Sequence, residues 1–134
     1  MTADKAQSLG RSDLNLLRNE ECLSSRQHRG LLIRVLHDNE FVEIRRSEMD
    51  SASTLENEEF GHFSVLHIVV EGSPVLEAPG RSNILVPGDT VAVGKGEPYR
   101  FHNPSSSRST ILSILVKVAE QQQTLGCDVR SASA

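Results

Sequence analysis

From residue 31 to residue 118 the chain is a series of short apolar runs, most of them ended by Gly or Pro. Residues 31–36 and 41–44 are separated by the polar stretch 37–40, a break suited to a hairpin. Residues 64–70 stop at Glu71-Gly-Ser-Pro74, and 75–77 run on to Ala78-Pro-Gly-Arg81. Residues 83–86 end at Pro87-Gly-Asp89, 90–93 at Gly94-Lys-Gly-Glu-Pro98, and 99–102 at Asn103-Pro104. Residues 110–118 close the series. Short runs punctuated in this way predict an all-β chain folded as a small antiparallel sandwich or barrel.

Helix is confined to the ends. Ser12 or Asp13 is placed to cap a short turn carrying Leu14 and Leu17 on one face. Residues 119–125 suit a terminal helical turn that Gly126 ends. No internal repeat and no long linker is present, and 134 residues make one domain's worth of chain. Residues 1–10 read as a disordered start, 11–126 as a single domain, and 127–134 as a frayed end. The core is aliphatic, because aromatic residues make up 4% of the chain.

Several classes fall away. No run approaches the ~18–20 apolar residues of a membrane-spanning helix, and the N-terminus lacks the apolar region of a secretory signal. The formal net charge of −4 argues against nucleic acid as a partner. The two cysteines, Cys22 and Cys127, lie too far apart to suggest a zinc knuckle or disulfide framework. The expectation is a cytoplasmic protein with reduced thiols. Residues 51–80 hold five acids (Glu56, Glu58, Glu59, Glu71, Glu77) and no Lys or Arg, which reads as a solvated acidic face.

The segment Gly88-Asp-Thr-Val-Ala-Val-Gly94-Lys-Gly96-Glu-Pro-Tyr99-Arg-Phe-His-Asn103 resembles the second motif of the cupin superfamily. That motif reads Gly, five residues, Pro-x-Gly, two residues, His, three residues, Asn. Gly88, Gly96 and Asn103 are in register, Gly94 stands for the Pro, and Tyr99 stands for the His. Val69-Val-Glu-Gly72 is similar to the turn that ends the first motif. The resemblance covers about residues 30–118. It implies a cupin-like double-stranded β-helix, or jelly-roll, barrel with short terminal helical turns.

The first motif departs from the pattern His-x-His, three or four residues, Glu, six residues, Gly. Counting back from Gly72, Val65 occupies the Glu position. Glu59 and Gly61, or Glu58 and Phe60 with the longer spacing, occupy the two His positions. With Tyr99 at the last position, none of the usual three-His-one-Glu ligands is present. No cofactor is therefore expected. A metal, if held at all, would need an atypical set such as Glu59, His67 and Tyr99.

Strand alternation sorts the remaining side chains. Val65, His67 and Val69 share a face with Phe63, while Tyr99, Phe101 and Asn103 share another, and His62 points away. The expected ligand pocket is thus lined by Phe63, Val65, His67, Tyr99, Phe101 and Asn103. His67 and Tyr99 are the candidate catalytic pair, since an imidazole exchanges protons near neutral pH and a phenol can donate one. Metal-independent sugar-nucleotide epimerases of this superfamily use a His and a Tyr in the barrel. The foremost expectation is a metal-independent small-molecule-binding protein. The alternatives are a small isomerase, cyclase or lyase using His67 and Tyr99, or a structural dimerisation module. A homodimer is expected, with residues 31–36 as the exposed apolar edge that would invite pairing.

Overall fold

The computed structural model describes residues 14–117, which form two antiparallel sheets facing each other. In chain order the strands are β1 (Ser24–His28), β2 (Leu31–Asp38), β3 (Val42–Met49), β4 (Thr54–Glu56) and β5 (Ser64–Glu71). They continue with β6 (Val75–Ala78), β7 (Arg81–Ile84), β8 (Thr90–Val93), β9 (Arg100–His102) and β10 (Ser109–Val116). The larger sheet runs β1-β2-β3-β10-β5-β8 and the smaller β4-β9-β6-β7. This is the antiparallel all-β barrel expected from the punctuation of the sequence, in the jelly-roll form that the family resemblance implies.

Alternation along β5 and β10 builds the interior. Val65, His67 and Val69 of β5 are buried, as are Ile111, Ser113 and Leu115 of β10. The two strands are paired so that Ser113 lies directly opposite His67. Leu55 of β4 and Phe101 of β9 meet them from the smaller sheet, both fully buried. Each such apolar side chain contributes about 1.5–3 kcal/mol relative to an exposed one.

The turn after β5 depends on Gly72. Its φ is 87°, and a Cβ there would clash with Ser109 Oγ and lie 2.7 Å from the Arg108 carbonyl oxygen. Only glycine satisfies both the left-handed backbone and the close approach of β10.

Four sequence expectations change. Residues 31–36 do not form an edge: β1 pairs along β2 from Ser24 opposite Val35 to His28 opposite Leu31, so the apolar strand is interior to the sheet. Pairing of two copies through that strand is thereby removed. β1 itself, Ser-Ser-Arg-Gln-His, is exposed at all five positions and carries no apolar alternation to betray it. β3 continues to Met49, beyond the break placed after Ile44, because Ser47 and Met49 keep facing inward while Arg46 and Glu48 pair on the outer face.

The expected N-terminal helical turn is the fourth change, since residues 14–18 have no helical structure. Leu14 and Leu16 are exposed there, so no packed face repays helix nucleation in so short a segment. The caps at Ser12 and Asp13, the turn at 119–125 and the two frayed ends lie outside the described residues. So does Cys127, whereas Cys22 is a free, partly buried thiol. One helical turn, a 3-10 turn at Asn57–Phe60, lies within the acidic stretch. No helix among the described residues is long and apolar enough to cross a membrane.

Candidate functional site

His67 sits in the middle of β5 and is fully buried. The rings of Phe60 and Phe101 pack against its ring at steep angles, each with its centroid 4.8 Å away. Its Nδ1 is 2.8 Å from Ser113 Oγ, and its Nε2 is 2.8 Å from the Tyr99 hydroxyl. Three side chains thus form one line of hydrogen bonds from the barrel interior outward. Burial pushes the His67 pKa down to about 3 and the Tyr99 hydroxyl well above its usual range, because neither charged form is solvated there. At neutral pH the imidazole is neutral and the phenol keeps its proton.

Tyr99 is half-buried and precedes β9. It borders an open cleft of about 360 Å³ lined also by Glu56, Asn57, Glu77, Pro98 and Arg100. Arg100 donates to Glu77 at 2.7 Å and lies 3.8 Å from Glu56. These groups are solvent-exposed, so their pairing shapes the cleft more than it stabilises the fold. Tyr99 is therefore the link between a dry interior and a wet mouth.

The other expected pocket residues divide. Val65 and Phe101 are packed into the core, and Asn103 is fully buried with a different duty. Asn103 Nδ2 is shared between the carbonyls of Met49, Asp50 and Ser107 at 2.8, 3.2 and 2.9 Å. Its Oδ1 accepts from the Ser105 amide. It ties the end of β3 to the loop before β10 and has no free polar atom to offer a ligand.

Phe63 requires a correction. It is 36% exposed rather than inward, because strand alternation starts only at Ser64, after the turn closed by the Phe63 amide on the Phe60 carbonyl. Phe60, 2% exposed, takes the inward place. Sequence reasoning missed it because its strand parity was counted through a turn. Ser113 was also missed, although its alternation with Ile111 and Leu115 marked it as an inward hydroxyl.

The residues do not fit the metal that the fold's usual ligand set would hold. Among the described residues no three His, Cys, Asp or Glu side chains come together in such a cluster. The atypical set is not assembled either. The Glu59 carboxylate pairs with Arg26 of β1, while both nitrogens of His67 are taken by hydroxyl groups.

The sequence matches no protein-family model and no curated protein. Solved structures do resemble it. An RmlC-like cupin from Shewanella frigidimarina is 16% identical, with a TM-score of 0.65, over 83% of this chain and 96% of that one. The polyketide cyclase RemF from Streptomyces resistomycificus is 18% identical, with a TM-score of 0.66, over 80% of this chain and 81% of that one. KdgF from a Halomonas species is 12% identical, with a TM-score of 0.66, over 83% of this chain and 99% of that one. At these identities the likeness is one of fold.

Proposed function

We propose that this chain, which has the cupin fold, binds a small organic molecule at the mouth of its barrel without the fold's usual metal. One observation carries the reading: Tyr99 hydrogen-bonds the buried His67 at 2.8 Å and also walls a cleft of about 360 Å³. The cleft combines the flat Tyr99 and Pro98 surfaces with polar side chains that can orient a ligand. That structures of this fold include a polyketide cyclase and a sugar phosphate isomerase supports a small-molecule role.

Binding is favoured over catalysis by the state of His67. An imidazole held near pKa 3 is a weak proton acceptor at neutral pH, and proton abstraction by an isomerase, cyclase or lyase needs a better one. A second reading, the structural module, draws support from the packed interior around Val65, His67 and Phe101.

A ligand-observed NMR screen of small organic fragments against wild type and Tyr99→Phe tests the proposal. It expects fragments whose binding weakens at least ~5-fold in the variant, the loss of about one hydrogen bond. A screen with no binders, or with binders indifferent to Tyr99→Phe, sinks it in favour of the structural module. Elemental analysis after dialysis tests metal independence, with less than about a tenth of an equivalent of any transition metal expected.

A further inference from the structure

The hydroxyl of Ser113 is sealed in the barrel, fully buried, and its side chain has one hydrogen-bond partner among the described residues, His67 Nδ1. A serine hydroxyl has one hydrogen to give, and leaving it without an acceptor in a dry core is costly. If Nδ1 carried the ring proton, it would donate to Ser113 Oγ and strand the serine hydrogen. If Nδ1 is bare, Ser113 donates to it and nothing is stranded. The ring proton then sits on Nε2, which donates to the Tyr99 oxygen 2.8 Å away. Tyr99 cannot give its own hydrogen back to a protonated Nε2, so that hydrogen turns to the cleft, where Tyr99 is half-exposed.

We infer that Ser113 sets the direction of the whole chain, Ser113 to His67 to Tyr99, and thereby fixes Tyr99 as a hydrogen-bond donor toward the cleft. Ser113 is a positioning residue acting through His67 and is not among the residues that line the cleft. The group recognised at this point is an acceptor oxygen, such as a carbonyl or ether, rather than a donor. The neutrality of His67 agrees, because a doubly protonated ring would reverse its bond with Ser113. The ligand class rests on the cleft being a binding site, whereas the direction of the chain does not.

The test is made on the ligand-free protein, so it can fail independently of the binding reading. Nitrogen-15 spectra of the imidazoles identify which ring nitrogen of His67 is protonated and whether the bare one accepts a hydrogen bond. The expected result is roughly tenfold or greater excess of the Nε2-protonated tautomer, since the alternative strands a buried donor. In Ser113→Ala the Nδ1 resonance should move to that of a bare nitrogen without a donor, and Ser113→Thr should restore it. A His67 ring protonated on Nδ1 in wild type overturns the inference. So does an Nδ1 resonance that is the same in wild type and Ser113→Ala. Should Ser113→Ala fail to fold, the wild-type tautomer and the wild-type-like Nδ1 resonance of Ser113→Thr decide the matter alone.

Discussion

Lowering the pH to 5 should destabilise this protein in a way that one side chain dominates, and replacing that side chain should remove its share of the loss. His67 has a pKa of about 3 when folded, against an ordinary value of 6.5. The unfolded chain therefore binds a proton below pH 6.5 that the folded chain refuses until about pH 3. The folded state loses ground as pH falls through this window, and the loss begins near the unfolded-state value. At pH 5 the linkage amounts to about 2 kcal/mol, from 1.36 kcal/mol for each pH step below 6.5. Because pH 5 lies well above the folded-state value, the size of the effect there is set by the unfolded chain. For a chain of this length that corresponds to roughly 6–10 °C in melting temperature.

The assay compares urea unfolding at pH 7.5 and pH 5 for wild type and His67→Gln. Glutamine keeps a donor and an acceptor for Ser113 and Tyr99 and does not titrate. All other groups titrate equally in the two proteins, so the difference of differences isolates His67. Wild type should lose about 2 kcal/mol more than the variant between the two pH values. Equal losses would refute the claim that this imidazole is held neutral by burial.

Two further substitutions probe the frame around the site. Gly72→Ala should destabilise by at least ~2 kcal/mol, because its φ of 87° and the contacts within 2.7 Å of Ser109 and Arg108 add together. Denaturant unfolding measures it, and a neutral result would mean that the turn rearranges freely. Asn103→Ala should cost roughly 1–3 kcal/mol by removing the buried donor that the carbonyls of Met49, Asp50 and Ser107 share. Asn103→Ala should leave the Tyr99 cleft intact, so a fragment found to depend on Tyr99 should bind the folded variant as tightly as wild type.

The parts of the fold that were legible in sequence are those where a turn and an alternation agree. Residues 64–70 alternate and end at Gly72, and β5 is found there with Val65, His67 and Val69 inside. β1 and β4 were not legible, for a physical reason. Ser24–His28 lies wholly exposed and is held by backbone pairing to β2, so its side chains record nothing of the strand. Thr54–Glu56 has a single fully buried residue, Leu55, and three residues cannot show a period. At the site, parity brought His67 and Tyr99 to the same interior, and they are hydrogen-bonded. Parity failed at Phe63 because that residue precedes the strand, which begins at Ser64. It also could not tell that Asn103 is committed to carbonyls, since hydrogen-bond partners distant in sequence leave no local trace.

What the barrel centre can do follows from the side chains that surround His67. A metal site in this position needs several neutral imidazoles or carboxylates aimed at one point. Here one imidazole is packed between the rings of Phe60 and Phe101, and its nitrogens are closed by Ser113 and Tyr99. The aromatic rings exclude water, which keeps the imidazole neutral. The two hydroxyls spend both of its nitrogens, which keeps it from ligating. Both features push the same way, making the barrel centre a neutral hydrogen-bonded strut rather than a site for charge and coordination. The strut ends at the Tyr99 hydroxyl, so Tyr99 is where the interior arrangement meets whatever enters the cleft. A barrel that kept His67 but exchanged Phe60 for a carboxylate would reverse the argument. The anion beside the ring would raise its pKa and offer it an acceptor oxygen, and Phe60→Asp should bring the His67 titration, followed by proton NMR, back toward neutral pH.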